Sequence, residues 1–354
     1  MPVVVLALSR MCGGLGLCWT AFYDDFSVLT REELLHSTAS SCELLFRLLG
    51  IDFADTGKKA VPFSQNFKML GVLVNTESSR ESSVTITHTD ERRAELVSSL
   101  ESVLCRGSLT PKEAEKLRGR MVFFEGYTFG RIANAAVKNL GRLGMNQAET
   151  NVLSADLSNI LNFLKWRVAN ASPIKIERCF TSTWVVFTDG CCEAERRFGG
   201  IGGILISPSG TCVQYFSAEV PPWMMDILLE TSANPIHELE LLPIYLAAFV
   251  WKQFLGLSQV VWYVDNESSR MAVVRGSGET RNAASIIDAF VRLECSSQIK
   301  SWFSRVPSHS NLADGVSRLC CELPRSLGAG QTTIEWESHR SLVVSEGRGS
   351  GGSG

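Results

Sequence analysis

The feature that most constrains this chain is an apolar run that stops at a carboxylate, from Thr183 to Gly190 (TWVVFTDG). Its residues are mostly β-branched or aromatic, which is typical of a buried strand. The pattern predicts a strand that delivers Asp189 at its tip, with Gly190 in the turn that follows. Alone this is weak evidence, because many Asp-Gly pairs are simply turn residues.

Three further carboxylates stand in comparable contexts, and they raise the significance of the first. They are Glu240 at the start of a helix-like stretch, Asp265 after the apolar run VVWYV, and Asp314 in the sequence NLADGVSR. Carboxylate oxygens from two strands and two helices would make a site suited to a hard divalent metal.

The helix that carries Glu240 leaves one alternative open. Glu238 lies two residues earlier, on a different helix face, and is the alternative ligand. Pro243 follows closely, and proline is tolerated only in the first turn of a helix. The sequence therefore predicts that this helix begins near Leu239.

Length and composition limit the class of protein. The 354 residues suffice for two or three domains, and 45% hydrophobic with 20% charged residues describes a globular chain. We expect no membrane helix, because no apolar run reaches about 18 residues. The eleven cysteines include no CxxC pair, which predicts a reducing, intracellular location, with cytoplasm and nucleus both open. The net charge of −3 gives no overall attraction to nucleic acid, so such binding requires local patches.

The amino-terminal part has its only early acids at Asp24 and Asp25, in the sequence FYDD between apolar stretches. The spacing predicts a hairpin that is either a polar tip or a functional carboxylate pair. A helix is predicted over 31–49 with Gly50 ending it, and then come Lys59 and a strand over 67–74.

The order of these features resembles the palm of a reverse transcriptase, with its carboxylate hairpin, helix, glycine, lysine and primer-grip strand. The resemblance implies that Asp24, Asp25 and Lys59 are a polymerase remnant within a partial palm over 1–80. Phe22 stands where the family usually has tyrosine, and no carboxylate precedes Tyr23 to supply the upstream aspartate. Nucleotidyl transfer needs its full carboxylate set, so we expect no polymerase activity unless a separate chain supplies the missing palm.

The stretch 81–175 is predicted to be helical, and Thr110-Pro-Lys-Glu113 is a good helix start. Between residues 102 and 175 the sequence has 11 Lys and Arg residues and 5 Asp and Glu residues. This excess is either a solvated face or a surface that follows a duplex backbone. The position after a palm resembles the helical thumb and connection of a retroelement, which implies nucleic-acid contacts by four basic residues: Arg118, Arg120, Arg131 and Lys138.

From about residue 178 the pattern changes to three strands, then alternating helices and strands, which predicts an α/β fold around a mixed sheet. With its four carboxylates, this order resembles a type 1 ribonuclease H, most closely those of DIRS-like or gypsy-like retroelements. The motifs that carry the resemblance are FTDG at Phe187–Gly190, ELLPIYLA from Glu240, and NLADGVSR from Asn311. It implies an RNase H-like five-stranded sheet with flanking helices over 178–322, within a truncated reverse transcriptase.

The resemblance also implies a mechanism and a substrate. Two Mg²⁺ or Mn²⁺ ions would be held by Asp189, Glu240, Asp265 and Asp314, with Asp189 shared between them. The partner would be an RNA–DNA hybrid or another nucleic-acid duplex, and the reaction hydrolysis of its RNA strand. The alternatives are a non-catalytic binding remnant of a retroelement, or a polymerase subunit that needs a second chain.

Three other features are predicted to carry no chemistry. His309 does not match the family's spacing for a histidine near the last aspartate, so it is predicted to be a loop residue. Cys191 and Cys192 have no partner spacing for a metal and are predicted to be reduced thiols. The stretch 323–354 is predicted to be a flexible tail with no core to join.

Overall fold

The computed structural model describes residues 18–22, 25–54, 60–81, 83–145, 152–177 and 183–343. The chain divides into two compact units, one of Met1–Thr89 with Ile174–Ile176 and the other of Asp90–Pro173 with Glu177–Gly354. The helical stretch and the carboxyl-terminal stretch, predicted as separate domains, therefore fall in one unit. Within the described residues no helix is long and apolar enough to cross a membrane.

The first unit contains the predicted hairpin and helix, and a four-stranded sheet in the order β3-β4-β5-β6. Its elements are β1 Cys18–Phe22, β2 Asp25–Leu29, α1 Leu35–Leu48, β3 Asn66–Met69, β4 Val72–Asn75, β5 Ser83–His88 and β6 Ile174–Glu177. Gly50 has a φ of +63° just after α1, as the predicted helix end requires.

One prediction for this unit is wrong. The stretch 67–74 forms two antiparallel strands, and Met69 pairs with Val72 across a two-residue turn. Leu70 and Gly71 both have positive φ, at +49° and +80°. Such a turn matches the twist of the flanking strands. The apolar run concealed it because leucine is not an expected residue at positive φ.

The second unit begins with four helices that share an apolar core. They are α2 Asp90–Arg106, α3 Pro111–Gly126, α4 Asn134–Met145 and α5 Ala155–Asn170. The predicted start of α3 is confirmed, because the Thr110 side chain accepts from the Glu113 amide and the Glu113 carboxylate accepts from the Thr110 amide. Leu100, Met121, Leu140 and Leu161 are among the core residues with no exposed surface.

The rest of this unit is a mixed sheet with helices, in the strand order β11-β10-β7-β8-β9-β12. Strands β10 and β11 run parallel to β7, whereas β7, β8 and β9 pair antiparallel. The strands are β7 Thr183–Glu193, β8 Phe198–Ile206, β9 Cys212–Glu219, β10 Gln259–Val264, β11 Lys300–Arg305 and β12 Gly330–Gln331. The helices are α6 Pro222–Thr231, α7 Ile236–Val250, α8 Lys252–Leu255, α9 Glu267–Arg275, α10 Arg281–Ser296, α11 Ala313–Ser317 and α12 Glu322–Ser326.

Helices cover both faces of this sheet. One face packs with α7 and α10 in a large core around Trp251, Trp262 and Phe290. The other face packs with α11 in a smaller cluster that includes Ile204 and Tyr215. The α/β class is therefore as predicted, although the described sheet has six strands instead of five.

The region after residue 322 differs from its prediction. Residues 323–343 are not a free tail, because β12 pairs with β9 and the turn-like helix Trp336–Leu342 follows it. Ile334, Leu342 and Val343 are buried in the large core. These apolar residues follow neither a helical nor a strand period, so pattern reasoning does not detect them. Residues 344–354 lie outside the described part of the chain.

Candidate functional site

Asp189 lies inside strand β7 and not at its tip, because the strand continues to Glu193. Beyond Phe187 the parallel neighbour β10 no longer pairs with β7, whereas β8 pairs with β7 along its whole length from Val185 to Glu193. Asp189 therefore stands where the sheet loses one neighbour, which gives its carboxylate space among other elements.

Gly190 is a point of close approach and not a turn residue. A side-chain Cβ at this position would lie 2.2 Å from the carbonyl oxygen of Leu239 in α7, which no real contact allows. The backbone of Gly190 also lies near the Glu240 carboxylate and opposes the rise of its pKa. The glycine thus lets α7 pack directly on β7, and this contact brings Glu240 beside Asp189.

Pro243 lies in the interior of α7, which begins at Ile236 and not near Leu239 as predicted. Proline has no amide hydrogen, so it cannot bond the carbonyl four residues back. That carbonyl belongs to Leu239 and is the one that meets Gly190. Pro243 therefore removes the usual partner of the Leu239 carbonyl at the point where α7 contacts β7.

Asp265 follows β10 directly, as predicted. Because β10 and β7 are parallel and Tyr263 aligns with Phe187, each strand has its aspartate two residues beyond this aligned pair. The two aromatic rings stack with centroids 4.7 Å apart. The register of the sheet therefore sets the spacing of the two carboxylates.

Three of the predicted ligands come together. One carboxylate oxygen from each of Asp189, Glu240 and Asp265 lies within 4.8 Å of the others. Asp189 and Glu240 are 4% and 6% exposed. Among the described residues, Glu240 Oε2 and Asp265 Oδ1 are buried without a hydrogen-bond partner. Buried polar atoms normally have partners, and a divalent cation would supply one, so the donor set fits Mg²⁺ or Mn²⁺.

The electrostatics of the cluster oppose full ionisation. Burial, reinforced by the charges of Asp265 and Asp314, raises the pKa of Asp189 to about 7 despite the hydrogen bond from Ser317. Burial, with the charges of Asp189 and Asp265, raises the pKa of Glu240 to about 9. Burial and like charges both disfavour the ionised carboxylates, and the charge of a bound cation would offset both.

Two residues of the NLADGVSR stretch hold the Asp189 carboxylate, and they had not been predicted as site residues. Asn311 donates to Asp189 Oδ1 at 3.3 Å and to the Thr188 carbonyl at 3.1 Å. The Ser317 hydroxyl donates to Asp189 Oδ2. Both side chains are buried. The motif itself was the signal, because Asn311 just before α11 and Ser317 at its end both contact Asp189 in β7.

Asp314 and Glu238 lie outside the group of three. The Asp314 carboxylate accepts from Arg318 at 3.1 Å and is half-exposed, yet its charge raises the pKa values of Asp189 and Glu240. Glu238 is buried and accepts from the Thr280 hydroxyl. Of the two glutamates that the sequence left open, Glu240 is the one in the cluster.

The residues of the polymerase remnant are described only in part. Asp24 and Lys59 lie outside the described residues, and Asp25 is described only as the first residue of β2. Their predicted role therefore stays a prediction.

The four predicted basic contacts divide into two kinds. Arg131 and Arg120 bond carboxylates of the chain, Glu294 and Glu95 respectively. Arg118 and Lys138 are exposed on α3 and α4. The role of all four as nucleic-acid contacts stays a prediction.

That His309, Cys191 and Cys192 carry no chemistry stays a prediction. His309 lies in an exposed turn of helix at Ser308–Ser310. Cys191 is buried, its thiol donates to the Ser317 carbonyl at 3.1 Å, and burial raises its pKa. Both Cys191 and Cys192 are free thiols.

No model of a known protein family matches the chain. A search of curated proteins also found no match. Among solved structures, the RNase H1 of the archaeon Halobacterium salinarum is similar, with 12% identity, 40% of this chain and 98% of that chain covered, and a TM-score of 0.31. An N-terminal RNase H domain from Mycobacterium tuberculosis has 12% identity, covers 42% of this chain and 100% of that chain, and has a TM-score of 0.32.

A foamy viral protease-reverse transcriptase, solved in complex with double-stranded DNA, is also similar. It has 12% identity and a TM-score of 0.40, and the match covers 86% of this chain and 48% of that one. The structural neighbours are thus RNase H domains and a viral reverse transcriptase. The TM-scores are low, so any function for this chain depends on the residues of its own site.

Proposed function

We propose that the α/β region over about 178–322 is a metal-dependent endonuclease that hydrolyses the RNA strand of RNA–DNA hybrids. The observation that carries the proposal is the cluster of Asp189, Glu240 and Asp265. One carboxylate oxygen of each lies within 4.8 Å of the others, and two buried oxygens of the cluster have no hydrogen-bond partner among the described residues. The resemblance of FTDG and NLADGVSR to type 1 ribonuclease H supports the choice of reaction.

Asp189, Glu240 and Asp265 would hold the cations, and we assign Asp314 as a fourth ligand. Two bound Mg²⁺ or Mn²⁺ ions would lower the pKa of a nucleophilic water and stabilise the charge on the leaving oxygen. The ion pair that engages Asp314 is exposed on both sides. Exposed pairs contribute only about 0–1 kcal/mol, so Asp314 can exchange Arg318 for a cation at small cost.

The residues around the cluster have separate tasks. Asn311 and Ser317 orient both oxygens of Asp189, and the close approach of Gly190 to Leu239 sets the position of Glu240. With a pKa of about 9, Glu240 holds a proton at neutral pH until a cation displaces it. Cation binding therefore releases protons and becomes tighter as the pH rises.

The substrate class is inferred from the resemblance. Type 1 ribonuclease H enzymes would recognise a hybrid by backbone shape and by 2′-hydroxyls in the minor groove, without reading sequence. The exposed Arg118 and Lys138 of the helical stretch are proposed to contact backbone phosphates of the same duplex.

The test is cleavage of a hybrid labelled on its RNA strand, with Mg²⁺ and with Mn²⁺. The parent chain should cut the RNA strand, and Asp189→Asn should not. Glu240→Gln and Glu238→Gln form a matched pair, since both side chains are buried in the first two turns of α7. We expect loss of cleavage only in Glu240→Gln, because Gln at 238 still accepts from Thr280.

Two other outcomes have defined meanings. A folded parent chain that binds hybrid but cuts neither strand with either metal would be a non-catalytic remnant, and the proposal would be wrong. Nucleotide incorporation that appears only when a separate palm chain is added would favour the polymerase-subunit alternative. Mutation of Asp25 would then abolish incorporation and leave hybrid cleavage unchanged.

A further inference from the structure

We propose that Arg131, in the segment between α3 and α4, is a positioning residue for the carboxylate cluster and acts on it through helix α9. The inference rests on the proposed function, because the cluster is its metal site. Arg131 itself is not a ligand. It belongs to the helical stretch, whereas the cluster belongs to the α/β region.

The guanidinium group of Arg131 has all its described partners in the α/β region. It donates to both carboxylate oxygens of Glu294 in α10, at 2.9 Å and 2.8 Å. It also donates to the carbonyls of Val273, at 2.7 Å, and Val274, at 3.1 Å, in the last turn of α9. Only an arginine has enough donors in a planar fork to bond a carboxylate and two carbonyls together.

The ion pair of Arg131 with Glu294 is partly buried and is not a surface ion pair. Glu294 is 4% exposed, and removing one partner of a buried pair leaves an uncompensated charge. Asn134, the first residue of α4, holds the same helix end, because its side-chain amide donates to the Arg275 carbonyl at 3.1 Å. Gly276 ends α9 at a φ of +65° and packs against Asn134.

Helix α9 joins this contact to the cluster. Asp265 directly precedes its N-cap, Asn266, whose side chain accepts from the Ser269 amide. The helix has nine residues and therefore spans roughly 14 Å. Arg131 holds one end of it, and a metal ligand is attached to the other.

The same helix also restrains the second ligand. Ser269, which is fully buried, lies 3.0 Å from His237 Nδ1 through its hydroxyl oxygen. His237 is in α7, three residues before Glu240 and therefore one turn away from it on the same side. A displacement of α9 would therefore act on the orientation of the Asp265 side chain at its start and, through His237, on the turn of α7 that carries Glu240.

The experiment uses the full chain and three single variants. Arg131→Lys keeps the charge but loses the fork, and Arg131→Met removes the charge. Arg120→Lys is the matched control, because its side chain is equally exposed, at 27%, and pairs with Glu95 inside the helical stretch. Mn²⁺ binding is measured by electron paramagnetic resonance of the free ion, without substrate, and hybrid cleavage is measured separately at saturating Mn²⁺.

We expect the Mn²⁺ dissociation constant to rise about 3- to 30-fold in both Arg131 variants, the range for a residue that modulates a site it does not touch. Cleavage at saturating Mn²⁺ should stay within about twofold of the parent in Arg131→Lys, because metal restores the ligand geometry. Amide exchange over 266–275 should increase in the Arg131 variants. Arg120→Lys should change none of these quantities.

Unchanged Mn²⁺ affinity in Arg131→Lys, with unchanged exchange over 266–275, would overturn the inference and leave the proposed function intact. An equal loss of affinity in Arg120→Lys would also overturn it, because the effect would then be general destabilisation. A parent chain that binds no Mn²⁺ would overturn the proposed function and this inference together. If Arg131→Met does not fold, Arg131→Lys decides the question.

Discussion

At the scale of single residues, burial and neighbouring charges oppose ionisation of the carboxyl cluster, and a bound cation would favour it. The folded-state pKa of Glu240, about 9, and that of Asp189, about 7, both exceed their ordinary values of 4.5 and 3.8. For an acid with a raised pKa, folding favours the protonated form. Its contribution to stability is complete below the ordinary pKa and is lost as the pH rises through the folded pKa.

The first prediction follows from this sign. Without divalent metal, the melting temperature should fall as the pH is raised from about 5 to about 9. Saturating Mg²⁺ should reduce or reverse the fall, because bound metal favours the ionised carboxylates. Thermal unfolding in a metal chelator and in Mg²⁺ checks this.

Glu240→Gln is the control for this pH dependence, since the amide cannot ionise. It should flatten the metal-free slope, most clearly above pH 7. A slope as steep as that of the parent would show that groups elsewhere dominate the pH dependence of stability.

A second prediction concerns Asn311, whose amide donates to Asp189 and to the Thr188 carbonyl and whose oxygen accepts from the Ala313 amide. Asn311→Ala should lower the free energy of unfolding by about 1–3 kcal/mol, since buried partners lose their bonds. It should also weaken metal binding about 10- to 100-fold, the usual effect of losing an outer partner of a ligand.

Urea unfolding and Mn²⁺ titration measure the two effects of Asn311→Ala. Asn162→Ala is the control, because within the described residues that amide donates to the Ser158 carbonyl on an exposed helix surface. Wild-type metal affinity in Asn311→Ala would contradict a positioning role for Asn311.

The candidate ligands were predictable from the sequence because each stands beside a local signal, a strand end or a motif. The partners of Arg131 were not predictable. Its ion pair with Glu294 joins residues 163 positions apart, and its other acceptors are backbone carbonyls with no residue signature. Sequence reasoning therefore predicted Arg131 as a nucleic-acid contact, whereas the structure places its guanidinium group on Glu294 and the end of α9.

At the scale of elements, the contact between β7 and α7 assembles the site, and Gly190 makes it possible. Gly190→Ala would place a Cβ 2.2 Å from the Leu239 carbonyl oxygen. Neither atom can rotate away, because the Cβ is fixed to the β7 backbone and the oxygen is part of the α7 backbone, so α7 must shift. We expect a loss of about 1–3 kcal/mol in stability, the usual cost of overpacking, and loss of hybrid cleavage because Glu240 moves with the helix.

Gly119→Ala is the matched control, because Gly119 lies in α3 with nothing within 4 Å of a Cβ. That change should stabilise the chain by about 0.5–1 kcal/mol, since alanine is the better helix former. Unfolding midpoints in urea compare the two variants. Full cleavage activity in Gly190→Ala would show that the helix contact does not set the position of Glu240.

Prediction of the elements from the sequence succeeded where the apolar residues of an element repeat with the period of a helix or of a strand. The order of strands and helices from β7 to α11 was predicted, apart from α6 and α8. It failed where a rule has a tertiary exception. The rule that proline belongs in the first helical turn predicted that α7 begins near Leu239, and the rule that Asp-Gly marks a turn predicted that β7 ends at Asp189. Both predictions were wrong, because Pro243 and Gly190 take part in the contact between α7 and β7, which the sequence does not show.

At the scale of the whole molecule, the basic excess over 102–175 is smaller than the count suggests. At least five of the eleven cations are in ion pairs: Arg106, Arg120, Arg131, Lys165 and Arg167. Three of their partners lie outside the counted window, at Glu95, Glu101 and Glu294. A sequence window cannot include such partners, so local charge counts overestimate the binding surface.

Arg118 and Lys138 are the predicted contacts that the structure leaves exposed, and they belong to adjacent helices. Arg118 lies across α4 at Gly141, where a Cβ would be 2.6 Å from its Cδ. Lys138 is in α4 three residues before Gly141. The two cations are therefore placed on the surface that α3 and α4 share, where one nucleic-acid backbone could meet both.

The last prediction tests this surface by its salt dependence. Each phosphate contact contributes about 0.9 to the slope of log affinity against log salt for a duplex. Replacing both Arg118 and Lys138 by Gln, in a chain that also carries Asp189→Asn to prevent cleavage, should lower the slope for hybrid binding by about 1.8. Fluorescence anisotropy between 50 and about 200 mM salt measures it.

Arg120→Gln in the same background is the control for the salt experiment. Its guanidinium group bonds Glu95 and Ser99, so it should leave the slope unchanged. If Arg120→Gln lowers the slope as much as the double variant, net charge controls binding and no defined surface exists. If neither changes it, the hybrid contacts other cations, and the helical stretch serves the nuclease only through Arg131 and α9.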